Sequence, residues 1–258
     1  MTLFPVPAFR DNYIWVLSDV SGRCLVVDPG DATPVRDYIN AERLAPCAIL
    51  VTHHHPDHTG GVSTLAGEFG VPVFGPARET IPAMTHPLDD GDRISVPLMN
   101  LSFSVFAVPG HTLGHIAFYT DALDPPILFC GDTLFSAGCG RLFEGTPAQM
   151  DTSLQRLAAL PDATRVCCTH EYTEANLAFA RAVLPGDLAL QARTQQVQAL
   201  RAAHQPSLPV DLGTEKRSNP FLRVDEPDLQ AALERETGTP LPGHVERFAA
   251  LRAWKDRF

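Results

Sequence analysis

The sequence predicts an α/β layered fold in which short strands alternate with helices and potential metal ligands follow the strands. Three early apolar runs, at residues 13–17, 24–27 and 48–51, are short, rich in β-forming residues and bounded by turn residues. Segments with helical spacing lie between such runs. Histidine or aspartate follows several runs closely, and an α/β fold commonly assembles its site at strand ends.

The remaining elements of the first 170 residues extend this alternation. Helices are predicted at residues 33–41, where Pro34 suits the first turn, and at 60–69 and 150–159. Further strands are predicted at residues 71–74, 103–108, 116–120, 127–130 and 165–168.

Near residue 170 the pattern changes from mixed to helical. Helical periodicity is found at residues 172–184, 188–203 and 248–258. A proline-rich connector at 206–209 leads into an irregular stretch that runs through Asn219-Pro220. We therefore expect a catalytic domain over residues 1–168 and a smaller helical domain over residues 169–258.

Composition and charge narrow the class of protein. Hydrophobic residues make up 45% and charged residues 19% of the 258-residue chain, which suits a globular core. The net charge of −10 argues against a general nucleic-acid or membrane surface. No apolar run approaches the ~18–20 residues that cross a bilayer, and the N-terminal residues lack the pattern of a secretory signal.

The six cysteines show neither a CxxC pair nor the spacing of a disulfide framework. We expect free thiols in a reducing compartment and a cytoplasmic location. Cys139, in the loop Gly138-Cys139-Gly140, can line a site, but a structural thiol is the simpler interpretation.

The strongest chemical signal is a dense cluster of ligand side chains after the run at 48–51. It reads Thr52-His53-His54-His55-Pro56-Asp57-His58, an HxHxDH pattern. Alternate side chains of an extended segment point the same way, so His53 and His55 can share one ion while Asp57 and His58 face a second. His54 then points away and is not expected to bind metal. Borderline-soft divalent metals accept such ligands, and a solvated polar loop is the weaker interpretation.

Three further candidates, His111, Asp132 and His170, each follow a predicted strand. Singly each could be a structural loop residue, but together they complete a set of five histidines and two carboxylates at four strand ends. That set suits two divalent ions bridged by Asp132, because a carboxylate has two oxygens. A bound water would then ionise at a pKa of about 7 instead of ~15.7, which predicts a metal-dependent hydrolase. His115 is either a residue that orients a ligand or a structural histidine.

This arrangement resembles the metallo-β-lactamase superfamily over residues 10–170. Four further segments resemble the glyoxalase II (hydroxyacylglutathione hydrolase) family of that superfamily, so that the resemblance spans nearly the whole chain. They are Ala8-Phe9-Arg10-Asp11-Asn12-Tyr13, Cys168-Thr169-His170-Glu171-Tyr172-Thr173, Asn219-Pro220-Phe221-Leu222-Arg223 and Arg252-Ala253-Trp254-Lys255-Asp256-Arg257-Phe258. The resemblance implies a four-layer αββα sandwich with the metals at one edge of its two sheets, and a smaller C-terminal helical domain.

The resemblance also implies how seven side chains share two metals. One metal would be bound by His53, His55 and His111, the other by Asp57, His58 and His170, with Asp132 as the bridge. Asp57 and Asp132 would be the catalytic carboxylates. We expect zinc, although iron and manganese accept the same ligands, and the sequence leaves the choice open.

Residues that match the glutathione-binding positions of the family are Arg141, Phe143, Tyr172, Arg252 and Lys255. Arg252 and Lys255 are three residues apart and share a helix face, which suits an anionic ligand, although a solvated face would be the simpler interpretation without the resemblance. The family commonly has Lys and Tyr where this chain has Arg141 and Phe143. Arginine keeps the charge. Phenylalanine lacks a hydroxyl, and losing one hydrogen bond of roughly 0.5–1.5 kcal/mol predicts weaker substrate binding.

The implied function is hydrolysis of S-D-lactoylglutathione to D-lactate and glutathione by a hydroxide that bridges the metals, a step of methylglyoxal detoxification. A glutathione persulfide dioxygenase with a mononuclear iron is the main alternative, but the C-terminal segments resemble the hydrolase. The net charge disfavours a nuclease, and the intact ligand set disfavours a non-enzymatic binding module. We expect a monomer that acts on a small-molecule thioester and has no nucleic-acid or membrane partner.

Overall fold

The computed structural model describes residues 1–258 and divides into two compact units. The first unit comprises Met1–Ala107, Leu113–Gly131 and Cys167–His170, and the second comprises Val108–Thr112, Asp132–Val166 and Glu171–Phe258. This division follows compactness rather than chain order. The boundary expected after residue 168 describes a different division and stays a prediction.

A six-stranded mixed sheet forms one layer of the first unit. Its strands, in sheet order, are β1 (Thr2–Ala8), β2 (Asn12–Ser18), β3 (Arg23–Val27), β4 (Ala45–Leu50), β5 (Val73–Pro76) and β6 (His86–Leu88). The pairs from β1 to β3 are antiparallel, whereas β3 to β6 are parallel. Val27 and Leu50 are paired at the ends of β3 and β4. The segments that follow these two strands therefore start side by side.

Three helices accompany this sheet: α1 (Ala32–Glu42), α2 (Pro56–Thr59) and α3 (Val62–Phe69). Helix α1 begins after Asp31, whose side chain accepts a hydrogen bond from the backbone N–H of Thr33. Val35 of α1 and Leu65 of α3 are buried in one core cluster with apolar side chains of the strands. This packing holds α1 and α3 against the sheet and fixes the loops between them.

The second sheet is six-stranded, and its part in the first unit includes four successive antiparallel neighbours. They are β7 (Arg93–Val96), β8 (Leu101–Ala107), β9 (Ile116–Thr120) and β10 (Ile127–Gly131). A short 3-10 turn, Pro97–Met99, precedes β8.

The second unit is mostly helical. Its strands are β11 (Leu134–Phe135), β12 (Gly138–Cys139), β13 (Arg165–Cys168) and β14 (Val210–Asp211). Its helices are α4 (Pro147–Ala158), α5 (Thr173–Val183), α6 (Leu188–Ala202), α7 (Leu212–Ser218), α8 (Pro227–Thr237) and α9 (His244–Arg257), with a 3-10 turn at Pro220–Leu222. The last two residues of β13 belong to the first unit, where β13 neighbours β10. No helix is both long and apolar enough to span a membrane.

Most predicted elements are confirmed within one to three residues, and the strands at 116–120 and 165–168 match at both ends. The prediction missed β1 because Pro5 and Pro7 interrupt its pattern. These prolines are tolerated because β1 is an edge strand. The irregular stretch predicted up to Asn219-Pro220 was wrong, since it contains α7, which is too short and polar to show a helical period.

Candidate metal centre

The HxHxDH segment runs from the end of β4 into the short helix α2. His55 has an extended backbone, and Pro56 stands at the first helical position, so the extended segment ends there. His53 and His58 are fully buried, while His55 and Asp57 are partly buried. The His53 Nε2 and His55 Nδ1 atoms are 3.1 Å apart. Two imidazoles thus present ring nitrogens to the same point, and the assignment of both to one ion stays a prediction.

A three-residue ligand group is formed in the first unit by Asp57, His58 and His170. One ligand atom from each lies within 4.8 Å of the other two. Asp57 Oδ2 is 3.7 Å from His58 Nε2 and 3.4 Å from His170 Nε2. His170 follows β13 by two residues, and an isolated antiparallel β-bridge to Asn12 holds it beside the start of β2.

Carboxylates on the far side of two imidazoles determine their orientation. Asp28 Oδ2 accepts from His58 Nδ1 at 3.1 Å, and Asp11 Oδ1 accepts from His170 Nδ1 at 2.8 Å. Each bond keeps the proton on Nδ1 and leaves Nε2 with the lone pair that a metal requires. Asn12 Nδ2 donates to Asp57 Oδ2 at 3.0 Å, which orients the third ligand.

Thr52 extends this orientation to His53. Its backbone N–H and its hydroxyl both donate to the carboxylate of Asp28, at 2.7 and 2.8 Å. The hydroxyl oxygen lies 3.1 Å from His53 Nδ1. Because the hydroxyl proton is used toward Asp28, His53 Nδ1 must be the donor. His53 Nε2 is then the deprotonated nitrogen.

The donor set fits a divalent cation by its chemistry. It combines imidazole nitrogens with a carboxylate, the mixture that zinc, iron and manganese accept. The bonds to Asp28, Asp11 and Thr52 keep the proton on Nδ1 of His58, His170 and His53, which leaves Nε2 of each ring for a metal. The residues present therefore match the group that the fold implies.

In the second unit, His111 and Asp132 lie together. His111 Nε2 is 3.4 Å from Asp132 Oδ2, and both side chains are buried. The backbone carbonyl of Arg141 accepts from His111 Nδ1 at 2.8 Å, so the tautomer is again the one that leaves Nε2 for a metal. Gly140 permits this packing, since a Cβ there would lie 1.9 Å from the carbonyl oxygen of Asp132.

The two ring residues predicted to bind substrate are exposed. Phe143 is 62% exposed, and its ring meets the His111 ring edge-on at 5.2 Å between centroids. Tyr172 is 37% exposed and lies edge-on against Phe135. The Arg141 side chain is also mostly exposed, with its Nε 3.6 Å from Asp256 Oδ1.

Arg252 and Lys255 lie on α9, as predicted, but in different surroundings. Arg252 is buried, and its guanidinium donates to the Cys139 carbonyl at 2.9 Å and to Asp256 Oδ1 at 3.0 Å. Lys255 Nζ lies 5.1 Å from the centroid of the Phe179 ring. Burial, followed by the neighbouring charge of Arg252, lowers the pKa of Lys255. Cys139 is a buried thiol whose pKa is raised by burial, which favours the structural interpretation.

Several residues around the ligands were not identified as functional by the sequence. Asp28 looked like part of a turn, and Asp11 and Asn12 entered only through family resemblance. A signal for Asp28 existed, since β3 ends beside β4 and an aspartate follows directly. His115 stacks on His53 at 4.5 Å between ring centroids, and His54 bonds to Glu79.

Comparison with known proteins agrees with this geometry. The family model of the metallo-β-lactamase superfamily matches residues 8–170, and that of the hydroxyacylglutathione hydrolase C-terminus matches residues 171–258. The chain is 51% identical to hydroxyacylglutathione hydrolase of Nitrosomonas eutropha, over 99% of this chain and 98% of that protein. It is 54% identical to hydroxyacylglutathione hydrolase of Pseudomonas aeruginosa, over 98% of both. The chain belongs to the hydroxyacylglutathione hydrolase family.

Solved structures place the family in its superfamily. The chain resembles the BLEG-1 B3 metallo-β-lactamase (TM-score 0.64, 25% identity, 86% of this chain and 99% of that chain). It also resembles TTHA1623 in a di-iron-bound form (TM-score 0.60, 28% identity, 85% and 100%). ETHE1 from Myxococcus xanthus shares the fold (TM-score 0.66, 23% identity, 99% and 98%). The expected metallo-β-lactamase fold with C-terminal helices is thus confirmed for this hydroxyacylglutathione hydrolase family member.

Proposed function

We propose that this chain hydrolyses S-(2-hydroxyacyl)glutathione thioesters, chiefly S-D-lactoylglutathione, to D-lactate and glutathione. The observation that carries the proposal is the identity of about half of all residues, over nearly the whole chain, with two hydroxyacylglutathione hydrolases. No comparable identity supports the alternative of a persulfide dioxygenase, because the likeness to ETHE1, at 23% identity, concerns the fold alone.

The same proposal assigns two divalent ions to the seven predicted ligands. One ion would be held by His53, His55 and His111, the other by Asp57, His58 and His170, with Asp132 shared between them. The tautomers of His58, His170 and His111 support this assignment, since each has its Nδ1 committed to an oxygen acceptor. TTHA1623 was crystallised with two irons, and we propose zinc here with iron or manganese as alternatives.

Bound ions would supply two effects that the chain lacks, a water that ionises near neutral pH and positive charge beside the thioester carbonyl. The hydrogen bond from Asn12 to Asp57 Oδ2 would keep this oxygen directed toward the proposed ions. Asp11 and Asp28, which accept from Nδ1 of His170 and His58, would hold these two rings in place with Nε2 available to an ion. In the overall reaction water adds to the acyl carbon, the C–S bond breaks, and glutathione leaves as a thiolate. That thiolate has a conjugate acid of pKa ~8.5, so it needs no dedicated proton donor.

We assign the glutathione moiety to the second unit. Arg141 is the most accessible of the proposed basic residues, and a guanidinium can bind a carboxylate through two parallel hydrogen bonds. Lys255 would add a second positive charge. Arg252 donates to the carbonyl of Cys139, which stands two residues before Arg141 in the chain. Tyr172 and Phe143 would flank the peptide part of the substrate through their exposed rings.

We further propose a cytoplasmic monomer. Five of the six cysteines are buried, and the spacing of the six is not that of a disulfide framework, which suits a reducing compartment.

The test is a hydrolysis assay with S-D-lactoylglutathione, combined with metal analysis of the same purified sample. We expect about two ions per chain, loss of activity on chelation, and recovery on adding back zinc, iron(II) or manganese(II) separately. A protein that binds two ions and leaves the thioester intact would contradict the proposed substrate. Oxygen consumption with glutathione persulfide would favour the dioxygenase instead.

A further inference from the structure

Glu79 is a buried carboxylate that joins two distant segments of the first unit. It lies in the turn after β5, and its side chain is 4% exposed. Its Oε2 accepts from the backbone N–H of His54 at 2.6 Å and lies 3.0 Å from His54 Nδ1. Its Oε1 accepts from the backbone N–H of Gly114 at 3.0 Å. One carboxylate therefore holds the middle of the HxHxDH segment and the loop that precedes β9.

The contact with His54 determines where the neighbouring imidazoles point. Glu79 binds both the backbone N–H and the ring of His54, which fixes the residue that stands between His53 and His55 in the chain. The His54 ring also meets the His55 ring edge-on, at 5.0 Å between centroids. With His54 fixed in this way, the ring nitrogens of His53 and His55 are 3.1 Å apart.

The hydrogen bond from the Gly114 backbone attaches Glu79 to the loop that precedes β9. A Cβ at position 114 would lie 2.5 Å from Glu79 Cγ, so only glycine allows the carboxylate to approach this closely. The next residue, His115, is fully buried and stacks on the His53 ring. Position 114 also lies three residues after His111 in the chain. Glu79 thus fixes the residue that follows His53 in the chain and the residue that precedes the histidine stacked on the His53 ring.

We propose that Glu79 is a positioning residue for the metal centre, which sets the direction of His53 and His55 through His54 and Gly114. The inference rests on the metal assignment made under the proposed function. Removing this restraint leaves every ligand in the chain but lets the extended segment rotate, which weakens metal binding without removing a donor. Partners of this outer kind typically change metal affinity or activity by about 10–100-fold.

The experiment compares Glu79→Gln with Glu68→Gln. Glutamine keeps the size of Glu79 but offers only one acceptor oxygen, so one of the two segments must lose its bond. Glu68, on α3 of the same unit, forms an exposed ion pair with Arg36 and is the matched control. Zinc affinity is measured by chelator competition, and amide hydrogen exchange is measured on the metal-free protein.

For E79Q we expect about 10–100-fold weaker zinc binding and faster exchange at the amides of His54 and Gly114. We expect kcat to fall with KM within about twofold of wild type, because the change concerns the ligands rather than substrate contacts. E68Q should match wild type in every measurement. Gly114→Ala should reproduce the E79Q pattern, since the added methyl displaces the carboxylate.

Unchanged zinc affinity in E79Q, with His54 and Gly114 still protected, would overturn the inference. So would an increase in exchange spread evenly over the first unit, or failure of E79Q to fold, because both would make Glu79 a residue of general stability. These outcomes are separate from failure of the proposed function. Wild-type protein without thioesterase activity would refute the substrate, and the exchange and zinc measurements would still decide the role of Glu79.

Discussion

The two units orient the histidines proposed as ligands with different acceptors. In the first unit the acceptors are side-chain carboxylates from distant positions, Asp28 for His58 and Asp11 for His170. In the second unit the acceptor for His111 is the backbone carbonyl of Arg141. A carboxylate adds charge and can be removed by a single substitution. A carbonyl is fixed only as well as the loop that carries it.

In the second unit, buried polar side chains accordingly form hydrogen bonds with the loop that leads to Arg141. Asn219 Nδ2 donates to the carbonyls of Phe135 and Gly138, and Arg252 donates to that of Cys139. Glu215 accepts from the Ser136 hydroxyl and the Ala137 backbone N–H. We infer that substitutions in the first unit act on individual ligands, whereas substitutions in the second act on the loop and on substrate binding.

The largest effect is expected from a residue that is proposed to act with ligands of both units. Asp132 belongs to the second unit but is proposed to be shared by both ions. Asp132→Ala should lower kcat by about a thousandfold or more, since metal-derived stabilisation amounts to several kcal/mol, and should reduce the metal content. Kinetics with S-D-lactoylglutathione and elemental analysis measure both. Retention of full activity would refute the dinuclear assignment.

The next effect tests the carboxylate acceptors of the first unit. Asp28→Asn keeps the shape of the side chain and tolerates the positive φ of 52° at this position. It leaves one acceptor oxygen for the donors from Thr52 and His58. We expect metal affinity to fall about 10–100-fold, as measured by chelator competition. Asp19→Asn, a carboxylate in the turn between β2 and β3 whose bonds are all to Ser21 and Arg23, is the control that should show no change in metal affinity.

This contrast also explains what the sequence could predict. The sequence could predict the seven candidate ligands because residue type and close spacing indicate metal-binding chemistry, as in the segment from His53 to His58, and their assignment stays a prediction. Most strands and helices were found because their apolar periodicity is local.

The orienting residues could not be found in this way. Asp28 and His58 are 30 positions apart and Asp11 and His170 are 159 apart, so only the folded sheet brings them together. Arg252 was predicted to share a helix face with Lys255 and to bind an anionic ligand, and its side chain is buried on the Phe221 ring. The spacing of Arg252 and Lys255 predicts that they share a helix face, but it does not predict which side chains pack against that face.

Substrate affinity tests the role assigned to the second unit. Replacing Arg252 and Lys255 together by alanine should raise KM about tenfold or more and change kcat little, because hydrogen bonds to charged groups contribute about 1.5–3 kcal/mol. Arg257→Ala, an exposed basic residue of the same helix, should leave KM unchanged. An equal loss in kcat would instead mean that the pair positions the loop that carries the Arg141 carbonyl, through the hydrogen bond from Arg252 to the Cys139 carbonyl.

A smaller effect is expected from restoring a hydroxyl at the exposed ring beside His111. Phe143→Tyr should lower KM by about 2–10-fold, the equivalent of one hydrogen bond of roughly 0.5–1.5 kcal/mol. Steady-state kinetics would show the change in KM with kcat unaltered. Phe143→Leu separates ring contacts from the hydroxyl. An unchanged KM in the tyrosine variant would mean that position 143 does not face the peptide part of the substrate.

The smallest effect concerns a histidine of the second unit that is held by carboxylates yet is no proposed ligand. His244 Nε2 donates to Asp151 Oδ1 at 2.8 Å, and Nδ1 donates to Asp225 Oδ2 at 2.7 Å. Burial lowers the pKa of His244, but these two hydrogen bonds outweigh it, and the pKa is raised above 6.5.

Because the pKa of His244 is higher in the folded than in the unfolded state, its contribution to stability is full below about pH 6.5 and is lost as the pH rises through the folded value. The Tm difference between wild type and His244→Gln should therefore be larger at pH 5.5 than at pH 8.5, by roughly 1–2 °C for a partly exposed group. Metal content, kcat and KM should not change. A pH-independent difference would exclude the charged form, and altered metal content would mean that carboxylate-held histidines of both units serve the ions.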